Sequence, residues 1–226
     1  MQLKDFIYFN NKFDHNIIAG ISTKDCSFSR LEIAKSIGFN TNSVAIPKQT
    51  HSNNVLYINQ PGKYENCDGL ITDNNDVLLS LQTADCIPIF MYDKINRLRG
   101  LIHAGWRGTV GGIFSNAISV MIEKKSDPKN IVVLLGPSIC KNCFEVREDI
   151  IKNFDMRCIA KNEHFKYFVD LFHHIKLEGL NEKLENQNIL FSKTCTFEDK
   201  NYCSFRRDGE NAGRMFSYMG VNHELY

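Results

Sequence analysis

Two histidines and a cysteine stand in three short segments whose residue types suit metal chemistry. His51 lies in KQTHSNNV, Cys86 in LQTADCIPIF and His103 in LIHAGWRG. Two imidazoles and a thiolate are good ligands for a borderline-soft divalent cation, zinc above all. Three protein ligands leave a fourth tetrahedral position for water or substrate, the arrangement of a catalytic rather than a structural centre. A cation held there lowers the pKa of its water towards neutrality. No local zinc signature has these intervals, so on spacing alone the same residues also suit a core thiol and two loop histidines.

Other residues could serve a reaction beside them. Arg107 follows His103 in a glycine-rich stretch, GWRGTVGG, ahead of a helical pattern. Free N–H groups there and a guanidinium would suit an anion such as phosphate; the other reading is an arginine that bonds carbonyls of the turn. Arg206 and Arg207 in SFRRDG are a second candidate clamp, or a turn-stabilising pair with Asp208 or Glu210. Gln49, two residues before His51, could bond a substrate or support its own loop. Asp85 precedes Cys86, and strand neighbours face opposite ways, so it is expected to bond amides or orient a histidine rather than share the metal. Cys140 and Cys143 form a C-x-x-C pair, for which the expectation is core packing. A structural zinc would need a second pair, and Cys195 and Cys203 are the nearby candidates. His173 and His174 are expected on the exposed or capping side of a helix.

The elements that must position these residues can be read from apolar patterning. DFIYF near residue 5, NIIAGIST from 16, NNVLYIN from 53, RLRGLIHAG from 97 and NIVVLLG from 130 read as strands. So does DVLLSLQTADCIPIFMY from 76, although Val77 to Tyr92 is too long for one flat strand, and Pro88 predicts an edge, bend or bulge. Each candidate ligand then falls at or near a strand end, and ends of strands in one sheet can converge. Ser29-Arg30-Leu31-Glu32 has capping-box spacing ahead of Ala34 and Ile37. Ile113, Ala117, Val120 and Met121 follow the helical period, so a helix begins just after GWRGTVGG. Further helices are expected from near Arg147 and over about 169–184. Strands and helices interleave without the beat of a doubly wound fold, which predicts an α+β sandwich of mixed sheet and flanking helices. No repeat or linker divides the chain, so residues 1–226 read as one domain.

The chain has 226 residues, enough to bury a substantial core without disulfides. Its 27 basic and 26 acidic residues leave a net charge of +1, which argues against a nucleic-acid or anionic-membrane surface. The N-terminus, MQLKDFIYFN, shows no secretory signal and no stretch is long enough to span a bilayer, so the expected location is cytoplasmic and the eight cysteines are expected to be thiols.

QTH, TADC, HAGWRG, LGPSIC followed by CFEV, and SFRRDGENAGRM together resemble the laccase-domain family, and occur in its order from about residue 45 to the C-terminus. That family is also called YfiH-like or multicopper polyphenol oxidase, and is described as purine nucleoside phosphorylase. The resemblance implies a sandwich related to the catalytic domain of cytotoxic necrotizing factor. It implies zinc on His51, Cys86 and His103. It also implies phosphorolysis of adenosine, inosine and methylthioadenosine, and deamination of adenosine, with purine nucleoside and phosphate as the partners. Some bacterial relatives are linked to peptidoglycan-precursor editing. The sequence departs from the family after its GxST strand, where ISTKDCSFSRLEIAKSIGF replaces a longer segment.

On these grounds the leading expectation is a zinc enzyme in which His51, Cys86, His103 and Arg107 are catalytic, and Gln49, Arg107 and Arg206 contact substrate. A cysteine hydrolase or amidase is the alternative, with Cys86 as nucleophile and His103 or His51 as base. Copper-dependent phenol oxidation is a further alternative, disfavoured by only seven histidines and no His-x-His pair. A scaffold with a structural zinc would normally close its site with four protein ligands.

Overall fold

The computed structural model describes residues 5–14 and 16–222. Its first half contains β1 (Phe6–Tyr8), β2 (Ile17–Ser22), α1 (Arg30–Ser36), β3 (Val44–Pro47), β4 (Val55–Tyr57), β5 (Gly62–Tyr64) and β6 (Gly69–Thr72). The middle contains β7 (Leu78–Thr83), β8 (Ile87–Asp93), β9 (Leu98–Ala104), α2 (Trp106–Val110), α3 (Ile113–Glu123) and β10 (Ile131–Leu135). Then follow β11 (Glu145–Val146), α4 (Glu148–Ile151), β12 (Ile159–Lys161), β13 (Tyr167–Val169), α5 (Leu171–Asn181), β14 (Ile189–Phe191), α6 (Phe205–Asp208) and β15 (Met215–Val221).

Alternation along the strands builds layers. In β8, Ile87, Ile89 and Met91 pack with α3 and α5, whereas Phe90 and Tyr92 point the other way, towards Leu79, Leu81 and Met219 of another sheet. Two mixed six-stranded sheets therefore lie face to face, ordered β1-β2-β15-β7-β3-β5 and β14-β10-β8-β9-β6-β4. Outside the first, α1 buries Ile33 and Ala34 against Phe6, Leu78 and Tyr218. Outside the second lie α3, α5 and a small sheet, β11-β13-β12. This is the expected α+β sandwich. The expected capping box closes the start of α1, with Ser29 and Glu32 bonding each other's backbone N–H.

The long apolar run divides as its length requires, but not at its proline. β7 belongs to the first sheet and β8 to the second, and the chain crosses between them at Ala84, Asp85 and Cys86, with Asp85 at φ +80°. Pro88 is not at an edge or bulge: it is the second residue of β8, a central strand, opposite His103. It is tolerated because pairing with β10 ends at Ile89, and only the Pro88 carbonyl is used beyond that, by Gly136 N–H. Among the described residues no helix is long and apolar enough to cross a membrane.

Candidate metal centre

Two strand ends and a loop bring the three candidate ligands to one place. Cys86 sits at the crossing between sheets, His103 near the end of β9, and His51 on the loop between β3 and β4. Their ligand atoms lie within 4.8 Å of one another, and the two imidazole rings meet edge to face at 4.8 Å. His103 is buried and His51 exposed, so the group opens to solvent on the His51 side. Gly105 lines it closely: a Cβ there would stand 2.8 Å from His51 Cδ2 and 3.1 Å from Cys86 Sγ. Only a residue without a side chain leaves the ligands room.

Asp68, not singled out by the sequence reading, organises two of the three ligands. It is completely buried just ahead of β6. One oxygen, Oδ1, accepts from His103 Nδ1 at 2.8 Å and from the His51 N–H at 3.0 Å. The other accepts from the N–H groups of Thr50 and Ser52 and from both their hydroxyls. The loop thus wraps the carboxylate and holds His51 at φ +60°, a conformation few residues adopt unaided. The bond to Nδ1 fixes the His103 tautomer and leaves Nε2 for the centre. Burial pushes the Asp68 carboxyl up, but the bonds from His103, Ser52 and Thr50 outweigh it and hold it well below the usual carboxylate range.

The ligands also tune each other. Burial pushes the Cys86 thiol up, but His103 and His51 beside it draw it down to about 6. Burial pushes His103 down, but the Cys86 thiolate and Asp68 raise it to about 9. Both shifts favour the thiolate–imidazolium form of the pair, and a divalent ion would take the place of its proton. Two imidazoles, a thiolate, an orienting carboxylate and an open side fit a zinc-class ion with one exchangeable position.

The other candidate residues fall at varied places. Arg107 is exposed on α2, within the glycine-rich stretch, and its guanidinium lies over the Trp106 ring at 4.5 Å. Gln49 spends its amide on the backbone of Gln82, accepting from N–H at 2.9 Å and donating to the carbonyl at 2.8 Å. Arg206 donates from its guanidinium to the carbonyls of Cys143 and Glu145, and lines an open groove with Glu145, Phe165, Lys166 and Tyr167. Arg207 pairs with Asp208 through two bonds and donates to the carbonyls of Thr196, Phe197 and Tyr202, which is the turn-stabilising arrangement. Asp85 turns away from the ligands, accepting from Thr196 Oγ1 and the Arg206 N–H, both at 2.6 Å. It ties the SFRRDG segment to the residue next to Cys86.

Two expectations are corrected. Cys140 and Cys143 are not buried within the core: both are partly exposed, Cys143 packs against the core from its edge, and they gather with Cys195 and Glu198. Cys203, the other thiol considered for that pair, lies elsewhere, buried with Ile21 and Met215. His174 is mostly buried, its ring against Phe154 and its Nε2 3.9 Å from Glu178.

The chain is similar to known proteins. A family model for multi-copper polyphenol oxidoreductase laccase matches residues 19–222. Adenosine deaminase RL5, from an unknown prokaryotic organism, is 30% identical over 213 residues, covering 84% of this chain and 79% of its own. A purine nucleoside phosphorylase of Clostridium acetobutylicum is 33% identical over 190 residues, covering 80% and 78%. The crystal structure of YlmD from Geobacillus stearothermophilus superposes with a TM-score of 0.89 at 24% identity, covering 99% of this chain and 98% of that one. With the match running through all three ligand segments, the chain belongs to the multi-copper polyphenol oxidoreductase laccase family.

Proposed function

We propose that the protein is a zinc-dependent enzyme of purine nucleosides, which cleaves adenosine, inosine and methylthioadenosine with phosphate and deaminates adenosine. The observation that carries the reading is the open group of His51, Cys86 and His103 on a buried carboxylate. The choice of purine nucleosides rests on relatives named adenosine deaminase and purine nucleoside phosphorylase. Zinc held by these three residues would supply a Lewis acid and an acidified water. Asp68 keeps His103 in one tautomer and one orientation. His51, on the exposed side, borders the space where substrate enters. Arg107, exposed beyond Gly105, is the side chain proposed to meet phosphate. Gln49, on the loop that carries His51, and Arg206, in its groove with Lys166 and Tyr167, are proposed as further substrate contacts.

Product analysis by mass spectrometry of a nucleoside panel, with and without phosphate, tests this. Adenosine with phosphate should yield adenine, and without it inosine, more slowly. Arg107→Ala should weaken phosphorolysis more than deamination. Equal loss of both would make Arg107 a support of the fold, and absence of turnover with every nucleoside would overturn the assignment.

One geometric feature favours a second reading. Cys86, His103 and Asp68 stand in the order of nucleophile, base and orienting acid. A cysteine amidase would keep its activity after complete metal removal and lose it on alkylation of Cys86, whereas the zinc enzyme would lose it on metal removal and recover it with zinc.

A further inference from the structure

We propose that Cys140, Cys143, Cys195 and Glu198 form a second metal site, which takes a zinc-class divalent cation and ties two loops together behind the first centre. The four ligand atoms lie within 4.8 Å of one another, although the residues come from loops after β10 and after β14. Glu198 Oε1 is 3.3 Å from Cys143 Sγ and 4.0 Å from Cys140 Sγ. Glu198 makes no ion pair among the described residues, so its carboxylate has no cation beside it other than one the thiols would share.

Backbone N–H groups surround two of the three sulfurs. The Cys140 N–H points at Cys195 Sγ at 3.3 Å, and the N–H groups of Phe197 and Glu198, two and three residues on, are directed at the same sulfur. The Asn142 N–H, two residues on from Cys140, is directed at the Cys140 sulfur. Amides donated from the next turn disperse the charge that thiolates keep when they bind a cation. Cys140 and Cys143 alone could form a disulfide, but that would leave Cys195 with its three donors and Glu198 with nothing to bind. Three thiolates and a carboxylate complete a tetrahedron, so this site is closed and structural, unlike the open one.

Its position gives it a task. A bridge between Ser138 and Cys195, with Thr196 N–H bonded to the Ser138 carbonyl, already joins the two loops. Both then hold Asp85, through the Thr196 hydroxyl and through the Ile139 N–H to the Asp85 carbonyl. Asp85 is bonded in sequence to Cys86. A cation on the neighbouring thiols would fix the strap that sets the Cys86 backbone.

Metal analysis of the whole protein, supplied with zinc and freed of loosely held ions, decides the matter. Two zinc ions per chain are expected, with one lost in Cys86→Ala and the other lost in the double variant Cys143→Ser with Cys195→Ser. With cobalt in place of zinc, most of the thiolate charge-transfer absorbance should vanish in the double variant, since three of the four ligand thiols belong to this site. Glu198→Gln keeps the fold and the thiols, and should weaken the second ion against a chelator by about ten-fold or more. One zinc per chain that the double variant retains, a Cys140–Cys143 disulfide in zinc-replete protein, or unchanged retention of both ions in Glu198→Gln would each overturn the proposal.

Discussion

Replacing Asp68 with asparagine keeps the shape of the side chain and removes its charge. In the native protein the carboxylate accepts from three backbone N–H groups, two hydroxyls and the His103 ring. An asparagine oxygen can still serve His103 and His51, but the amide nitrogen then faces the Ser52 and Thr50 N–H groups, donor against donor. Loss of charge assistance to the buried imidazole costs about 1.5–3 kcal/mol, and a buried donor left unpaired about 1–3 kcal/mol. The Thr50 end is exposed, where water relieves part of the conflict, so a total of about 2–4 kcal/mol is expected. The same change frees the His103 tautomer and loosens the His51 loop, so metal affinity should fall by about 10–100-fold. Urea denaturation of metal-free protein measures the first effect, and competition with a chromophoric chelator the second. Ser52→Ala, which removes one hydroxyl donor and no charge, serves as control and should change affinity little. An unchanged urea midpoint with affinity within about three-fold of the parent would refute the assignment of Asp68 as organiser of the centre.

Three further outcomes follow from other residues. Gly105→Ala puts a Cβ against His51 and Cys86 at ordinary backbone angles, so a chelator competition should show about ten-fold weaker metal binding with the melting temperature of the metal-free protein nearly unchanged. Between about pH 6 and pH 9 the Cys86–His103 pair holds one proton, so calorimetry on the Cys143→Ser, Cys195→Ser double variant, in buffers of different ionisation enthalpy, should find close to one proton released per metal at pH 7.5. Burial raises the Glu178 carboxyl from 4.5 to about 7, with Glu182 adding to it. The native state therefore binds this proton more tightly than the unfolded chain, and stability falls as pH rises from about 4.5 through 7. Glu178→Gln should remove that fall and leave the protein about 1–2 kcal/mol more stable than the parent at pH 8, and no gain there in urea melts would count against the burial argument.

The sequence exposes the ligands better than their supports. Cys86 and His103 lie in long apolar runs, where a soft or ionisable side chain at a strand end is conspicuous against its neighbours. Asp68 gives no such signal. It precedes the four-residue strand Gly69–Thr72, too short for its alternation to be read, and its partner is recognisable only once β6 pairs with β9 and Gly69 is set opposite Ile102. Register, not residue type, brings Asp68 to His103. The strand β15 escaped for a related reason: MFSYMGV mixes serine and glycine into a central strand, and Gly220 is required there because a Cβ would meet Phe39 and Leu78 at under 3 Å. Of the second cluster, Cys140, Cys143 and Cys195 were legible as cysteines but C-x-x-C is weak alone, and Glu198 escaped because a parallel bridge, not sequence distance, brings its loop beside them.

Two of the buried aspartates, Asp68 and Asp85, divide the work around Cys86 and His103 in a way that separates chemistry from support. Asp68 reaches a ligand through its carboxylate, and so changes the electronic character of the imidazole as well as its position. Asp85 reaches Cys86 only through the chain, with its carboxylate committed to Thr196 and Arg206 on the opposite side of the crossing. At this crossing between two sheets Cys86 joins the ligand cluster, whereas the Asp85 carboxylate meets the loops behind it. The left-handed backbone at Asp85 sharpens the turn, so that a single step of the chain passes from the ligand cluster to the anchoring loops. Changes behind the crossing can then move Cys86 through the backbone of Asp85.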